Sequence, residues 1–284
     1  MAATLPVDSV SDTAYLLAFY RGLESARPDA LFDDPYAALL AGQRGERLAR
    51  RLAPTDPEAD ASGHAVRVWI VDELILQAIR DDAVDAVLNL GAGLDTRPYR
   101  LSLPKSLLWI DVDAPGVLAY KAERLADHCP ACTLQYQPAD VTDVHDRQAL
   151  LQGAAQEAQR ILVLTEGLLI YLSAAEIAAL AADLRKPVVQ CWVSDLLSLE
   201  GLRLMQAAQP ASPDGARVKL LFAPENGAEF FRPHGWRTVA FRSCFEEGSR
   251  LPRFRSVQDQ LADLTVRQRA VLRSLTAVVK LVSS

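Results

Sequence analysis

The chain has 284 residues, of which 50% are hydrophobic, and a formal net charge of −6. This length and apolar content are sufficient for one large domain with a sizeable core. The acidic balance, with a pI near 5.3, disfavours nucleic acid as a partner, because phosphate binding requires a positive surface. Neither a signal peptide nor a run of about 18 apolar residues is visible, so we expect a cytoplasmic protein without a membrane partner.

The amino-terminal part predicts helices and no strand. A first helix carries Tyr20 and Arg21, and a later one, with Val66, Ile70 and Leu74 on its apolar face, leads into the first strand. We interpret residues 1–61 as a helical cap and residues 62–284 as the main domain, the two forming one compact unit.

The segment from position 86 is the most informative part of the chain. Val87, Leu88 and Leu90 predict a strand buried on both faces of a parallel sheet. The following Gly91-Ala92-Gly93 allows the backbone to turn tightly beneath a ligand, as nucleotide-binding α/β proteins do. Thr96 stands where the dinucleotide fingerprint requires a third glycine, which weakens the case for NAD or FAD.

Three acids follow three later apolar segments. Asp111 comes about twenty residues after the glycine turn, where a carboxylate can accept hydrogen bonds from both ribose hydroxyls of NAD or S-adenosylmethionine. Asp140 and Glu166 are expected at the ends of the third and fourth strands. Alternatively, Asp111 and Asp140 are merely solvated loop acids, and Glu166 caps the following helix.

The remaining strands are predicted at 189–194, 236–241 and 277–282. Strands that alternate with helices favour an α/β fold with right-handed crossovers and a mostly parallel sheet. Cys129 and Cys132 form one C-x-x-C pair, but no second pair or histidine set completes a zinc site, so no metal is expected.

Taken together, these segments resemble the leucine carboxyl methyltransferase-like family of class I S-adenosylmethionine-dependent methyltransferases, which includes bacterial small-molecule O-methyltransferases. The motifs that carry the resemblance are Arg21, Glu24–Asp29, Phe32–Ala37, Gly91–Arg97, Tyr99–Leu101, Asp111–Pro115, Tyr120–Leu125 and Thr165–Leu172. The resemblance runs from about Thr13 to at least Leu172. It implies a Rossmann-like sheet of seven strands with the last strand antiparallel, S-adenosyl-L-methionine as cofactor and S-adenosyl-L-homocysteine as product.

The resemblance also implies which residues bind the cofactor. They are Arg67, Gly91, Ala92, Gly93, Asp111, Val112, Asp140, Val141 and Glu166. Among them, Arg67 pairs with the methionine carboxylate, Glu166 lies near the amino group, and Asp140 with the backbone of Val141 meets the adenine amino group. A surface salt bridge is the alternative role for Arg67. Arg97 belongs to the motif and is a site candidate of lower rank, with structural anchoring of the loop as the alternative.

The expected activity is O-methylation of a carboxylate or hydroxyl of a small molecule, in secondary metabolism. The acceptor-site candidates are Tyr20, Arg21, Tyr171 and His234, of which His234 would be a base for a phenol or else an exposed loop residue. The family's eukaryotic members methylate a protein's terminal leucine and carry an early lysine that is not found here. Peptide or protein carboxyl termini remain an alternative, as does an NAD(P)-dependent oxidoreductase, although the chain lacks a Tyr-x-x-x-Lys constellation.

Overall fold

The computed structural model describes residues 10–52, 57–208, 218–254 and 265–284. Ahead of the sheet lie α1 (Val10–Ser25), α2 (Ala37–Leu52), which bends at Gly42, and α3 (Pro57–Asp81). Residues 1–9 and 53–56 of the predicted cap are outside the described residues. The helix α3 runs without a break through position 61, so the cap and the main domain share this helix.

In the described chain, seven strands form one sheet: β1 (Ala86–Leu90), β2 (Leu108–Asp113), β3 (Thr133–Pro138), β4 (Ile161–Thr165), β5 (Val189–Leu197), β6 (Trp236–Ser243) and β7 (Thr276–Ser283). Their order across the sheet is β3-β2-β1-β4-β5-β7-β6. Strands β1 to β5 pair in parallel, whereas β7 pairs antiparallel with both β5 and β6. The predicted fold class is therefore confirmed, including the antiparallel last strand.

Helices connect the strands across both faces of the sheet. They are α4 (Arg97–Arg100), α5 (Pro115–Arg124), α6 (Val144–Glu157), α7 (Ala174–Asp183), α8 (Leu199–Ala208), α9 (Cys244–Ser249) and α10 (Val266–Leu275), with 3-10 turns at Leu169–Tyr171, Gly227–His234 and Pro252–Phe254. Ser173 and Glu176 form a capping box that starts α7, so this serine, and not Glu166, caps the helix after β4.

The apolar run of β1 is buried because the sheet is covered on both sides. Successive residues of a strand point to opposite faces. Leu88 and Leu90 pack with α6 and α7 on one face, while Val87 packs against α3 on the other. Only Asn89 interrupts the run, and its amide donates to Asp95 and Asp111.

The helices α1 and α2 cover the edge of the sheet where the parallel strands end. Tyr15 and Leu40 from these helices form one cluster with Leu94, next to the glycine turn, and Val117 of α5. The amino-terminal helices therefore contribute a wall to any ligand site at this edge. No helix in the described ranges is long and apolar enough to cross a membrane.

Candidate functional site

The glycine turn has the geometry that its sequence predicts. Gly91 and Gly93 have φ values of +68° and +51°, a region that favours glycine. The N–H groups of Gly91 and Ala92 both donate to the Val112 carbonyl, at 2.9 and 3.0 Å. A Cβ atom at position 91 would lie 3.0 Å from Leu168 Cδ1. The turn is thus held against the end of β2 and is closely covered by the loop after β4.

A cavity of about 610 Å³ lies above this turn. Its volume is typical of small-molecule sites. Its walls come from the glycine turn, the carboxyl ends of β2 and β4, the loop after β3, and the helices α1 and α3. The predicted residues that line it are Arg21, Arg67, Gly91, Ala92, Gly93, Val112, Asp140, Val141, Glu166 and Tyr171. Neither Asp111, Tyr20 nor His234 lines it.

Asp111 is fully buried beneath the cavity, which corrects its expected place in the cofactor site. Its carboxylate accepts from Lys121 Nζ at 2.6 Å, Trp109 Nε1 at 2.9 Å and Asn89 Nδ2 at 3.0 Å. These donors surround the carboxylate and leave no path to a ligand. Asp111 is therefore one half of a buried ion pair that holds α5 against β2.

Asp113, two residues later, is the acid that reaches the cavity. The strand β2 continues two residues beyond the end predicted at Asp111, so Asp113 is its last residue. Asp113 therefore lies at the edge of the sheet formed by the carboxyl ends of the parallel strands. Its Oδ2 accepts from the Gly93 N–H and its Oδ1 from the Ala114 N–H, both at 2.7 Å. Each oxygen retains a second lone pair for a ligand hydroxyl.

The loop after β3 presents Asp140 and Val141 to the cavity. The strand ends at Pro138 because its pairing with β2 ends opposite Asp113, so Asp140 lies in the loop and not on the strand. One carboxylate oxygen, Oδ1, accepts from Thr142. The Val141 N–H makes no hydrogen bond within the described residues, so both a carboxylate and a backbone donor face this end of the cavity.

At the opposite end, Arg67 lies between two carboxylates. Its Nε donates to Glu166 Oε1 at 3.0 Å and its Nη1 to Asp195 Oδ2 at 3.1 Å. The remaining nitrogen, Nη2, lies beside Gly167. A Cβ atom added to Gly167 would be 3.9 Å from this nitrogen. Arg67 is only 12% exposed, so its ion pairs are internal and it is not a surface salt bridge. Asp195 was missed by the strand-end reasoning because β5 continues to Leu197.

Arg97 joins this end of the cavity to the glycine turn. It is 3% exposed and bridges Asp72 at 2.6 Å, Asp95 at 2.8 Å and Glu166 at 2.7 Å. Burial alone would raise the pKa of Glu166, but Arg97 and then Arg67 outweigh burial and lower this pKa. The same balance, with Arg97 as the strongest favourable charge, lowers the pKa of Asp95. Both acids are therefore ionised at neutral pH.

The acceptor candidates have different surroundings. Arg21 lines the cavity, but its guanidinium donates to Asp34 and to the Leu94 carbonyl, at 2.8 and 2.6 Å, and so ties α1 to the glycine turn. Tyr171 lines the cavity and its hydroxyl lies 3.4 Å from Thr13 Oγ1. Tyr20 is 3% exposed, and His234 packs against Phe230. Of the four, Arg21 and Tyr171 therefore line the cavity, whereas Tyr20 and His234 do not.

The sequence reasoning missed His64, a half-buried residue of α3 that lines the cavity. Its ring stacks on Tyr20, with centroids 5.2 Å apart and an interplanar angle of 22°. Burial and the nearby Arg67 lower the pKa of His64 to about 3. His64 could have been found from its spacing, because residues three positions apart on a helix, such as His64 and Arg67, lie on the same face.

This low pKa predicts a pH dependence of stability. Between pH 6.5 and 3 the unfolded chain binds a proton at His64 that the folded chain does not bind, so the free energy of unfolding falls as the pH falls. From pH 7 to pH 5 we expect His64 to contribute a loss of about 1–2 kcal/mol, absent in His64→Phe. Urea denaturation of both proteins at pH 5, 6 and 7 measures this difference; parallel pH curves would contradict it.

The cysteine pair shows no arrangement for chemistry. Cys129 is exposed, whereas Cys132 is buried in the core beneath β2, and both are free thiols. Burial raises the pKa of Cys132 to about 11. Within the described ranges, no three histidine, cysteine or acidic side chains are grouped so that they could hold a metal ion.

Comparison with known proteins bears on the identity of this site. Residues 14–185 match the family model described as leucine carboxyl methyltransferase. A relative from Rhodococcus jostii is 31% identical over 280 residues, covering 92% of this chain and 94% of the relative. Another, from Parafrankia sp., is 31% identical over 242 residues, covering 80% and 77%. Both are named as candidate S-adenosyl-L-methionine-dependent methyltransferases.

Solved structures share the fold at low sequence identity. A DUF574 family protein from Streptomyces avermitilis aligns with a TM-score of 0.58 at 12% identity, covering 96% of this chain and 97% of that one. A candidate methyltransferase from Thermobifida fusca also gives 0.58, at 15% identity, covering 98% and 95%. Residues 14–185, which match the family model, contain the glycine turn, lining residues from both ends of the cavity and most of the amino-terminal helices. The chain therefore belongs to the leucine carboxyl methyltransferase family of S-adenosylmethionine-dependent methyltransferases.

Proposed function

We propose that this protein transfers a methyl group from S-adenosylmethionine to the carboxylate of a small, largely apolar acid. The observation that carries the proposal is the part of the cavity wall formed by Thr13, Leu17, His64 and Tyr171, here called the acceptor side, where polar side chains are present but none is a base at neutral pH. The methyl donor needs a water-poor site and alignment with the acceptor oxygen, and little else.

The cofactor fits the cavity along the glycine turn. Asp113 would accept from the ribose hydroxyls, in place of Asp111. Asp140 would accept from the adenine amino group while the Val141 N–H donates to a ring nitrogen. S-adenosylmethionine supplies the reactive methyl group on its sulfonium when it is bound.

The methionyl part fits the opposite end. Arg67 Nη2, which makes no hydrogen bond to the described residues, would donate to the α-carboxylate. Glu166, ionised by its ion pairs with Arg67 and Arg97, would face the α-ammonium group. Gly91, Ala92, Gly93 and the end of β2 at Val112 would pass beneath the ligand between these two ends.

The acceptor side is the part of the cavity wall that the cofactor, placed as above, would not contact. It contains Thr13 and Leu17 of α1, His64 of α3, and Tyr171. Burial raises the pKa of Tyr171, so this phenol is protonated at pH 7. His64 is neutral, and because its pKa is near 3 it is too weak a base to take a proton from an alcohol or phenol.

The proton balance then favours a carboxylate. A carboxylate is already ionised at neutral pH, and forming the ester neutralises it without releasing a proton, whereas a phenol has a pKa near 10 and must lose one. Leu17 makes the wall partly apolar, which suits an apolar body on the acid. Neither nucleic acid nor a membrane is needed as a partner.

Release of S-adenosylhomocysteine tests this proposal with matched acceptors. We expect turnover with octanoate, benzoate or trans-cinnamate and none above background with octan-1-ol or p-cresol. At saturating cofactor, kcat/KM for the acid should be flat from pH 6 to pH 8, because neither the acid nor His64 titrates there. Turnover restricted to the hydroxyl compounds, with a rate that rises with pH, would contradict the proposal. A leucine-ending peptide in the same assay tests the protein-terminus alternative.

A further inference from the structure

We propose that His64 is an acceptor-binding residue, whose imidazole N–H donates a hydrogen bond to the acceptor carboxylate and thereby determines which acids are held in line with the methyl group. This inference rests on the proposed function. It concerns a residue outside the motifs that identify the family.

The first support is the position of His64 on α3. It precedes Arg67 by three residues, which places both side chains on one face of the helix, and both line the cavity. Arg67 is committed to the methionyl end by its ion pairs with Glu166 and Asp195. His64 therefore lies one helical turn from the bound methionyl group, on the side towards α1.

The second support is that the imidazole is oriented but has no polar partner. Tyr20 covers one face of the ring, at 5.2 Å between centroids and 22° between planes. Neither ring nitrogen makes a hydrogen bond within the described residues. An imidazole N–H on a cavity wall that has no partner in the described protein is available to a ligand.

The third support is the charge around His64. Burial and then Arg67 lower the pKa of His64 and outweigh Glu166, which raises it, so the ring is neutral at pH 7. A neutral imidazole has one donor and one acceptor nitrogen. Its donor nitrogen matches a carboxylate oxygen, which can only accept a hydrogen bond.

The test separates hydrogen bonding from ring packing. His64→Phe keeps an aromatic ring against Tyr20 but removes the donor, whereas His64→Gln keeps a neutral donor and removes the ring. His234→Phe makes the same change at a histidine outside the cavity and is the matched control. Calorimetric titration of each protein with S-adenosylhomocysteine, and of each resulting complex with octanoate, benzoate and trans-cinnamate, gives the two affinities.

We expect His64→Phe to weaken binding of the acid at least about tenfold, since hydrogen bonds to charged groups contribute that much or more. His64→Gln should remain within about threefold of the parent protein, and His234→Phe should match it. The affinity for S-adenosylhomocysteine should change less than about threefold in all variants. Nitrogen-15 NMR of the imidazole should show a shift of the protonated nitrogen on addition of the acid, but not of octan-1-ol.

Two different results would overturn the inference. Equal acid affinity in the parent protein and in His64→Phe would remove His64 from the acceptor site while leaving the proposed function intact. Failure of the parent complex to bind any of the three acids, with normal binding of S-adenosylhomocysteine, would reject the proposed acceptor class and the role of His64 together. Misfolding of a variant is recognised separately, because a misfolded variant would also lose binding of S-adenosylhomocysteine.

Discussion

Replacing Asp113 by alanine is expected to lower the affinity for S-adenosylhomocysteine about 100-fold or more. The variant would lose two hydrogen bonds from ribose hydroxyls to a charged acceptor, each typically worth about 1.5–3 kcal/mol. It would also lose the two contacts, at 2.7 Å, that hold the Gly93 and Ala114 N–H groups at the edge of the cavity. Calorimetric titration measures the affinity, and urea denaturation of the same samples measures the stability.

Asp111→Ala is the matched comparison, two residues away on the same strand. Removing this carboxylate leaves Lys121 buried without its partner, so we expect about 3–5 kcal/mol less stability and, in the folded fraction, nearly unchanged affinity. The two acids are thereby separated into one that holds a ligand and one that holds the fold. If the folded Asp111→Ala protein lost S-adenosylhomocysteine and Asp113→Ala kept it, the assignment would be reversed.

Replacing Arg97 by methionine is expected to destabilise the protein by about 3–5 kcal/mol at pH 7. The substitution keeps much of the side-chain volume but leaves Asp72, Asp95 and Glu166 buried without their shared cation. Because Asp95 and Glu166 also line the cavity, the affinity for S-adenosylhomocysteine should fall with the stability. Urea denaturation gives the first quantity and calorimetry gives the second.

The pH dependence identifies the cause of this loss. With Arg97 present, the pKa values of Asp95 and Glu166 are lowered, so their ion pairs stabilise the fold above about pH 4 and are lost as the pH falls below it. Without Arg97, both acids lose the strongest charge that lowers their pKa, so both pKa values rise above those in the parent protein and part of this stabilisation is missing at neutral pH. The difference between the two proteins should be largest at pH 7 to 8 and shrink below about pH 4.5.

Arg80→Met is the control for removal of an arginine as such. Arg80 pairs with Asp81 at the surface, where the side chains are 69% and 46% exposed. Exposed ion pairs contribute at most about 1 kcal/mol, so this variant should unfold close to the parent protein. A loss in Arg97→Met no larger than in Arg80→Met would mean that solvent or rearrangement compensates the three buried acids.

The features that the sequence predicted correctly, such as the first strand and the glycine turn, have one property in common. Each depends on residues within a short stretch of the chain. The apolar run before Gly91 is typical of a strand buried on both faces, and the glycine pair that follows it favours a tight turn. Glu166 follows the fourth strand directly, so its place at the cavity came from the same local reasoning. In each case no distant residue was needed.

Local sequence patterns did not identify which acid of β2 lines the cavity. Asp111 and Asp113 are two residues apart and therefore project from the same face of the strand, so the sequence pattern alone does not separate them. Lys121, ten residues later on α5, takes the first, and pairing with β3 up to Pro138 makes the second the strand end. A distant partner and the length of a neighbouring strand decided which acid faces the cavity.

By itself, the sequence determined the family, the seven-stranded sheet and the cofactor, since each depends on motifs whose residues are close together along the chain. Only the tertiary structure decided which charges are internal and which face the cavity. Arg67 meets Asp195 across 128 positions and Tyr20 reaches His64 through the packing of α1 on α3. Such contacts depend on how helices and strands pack, because desolvation and ion pairing act between neighbours in space.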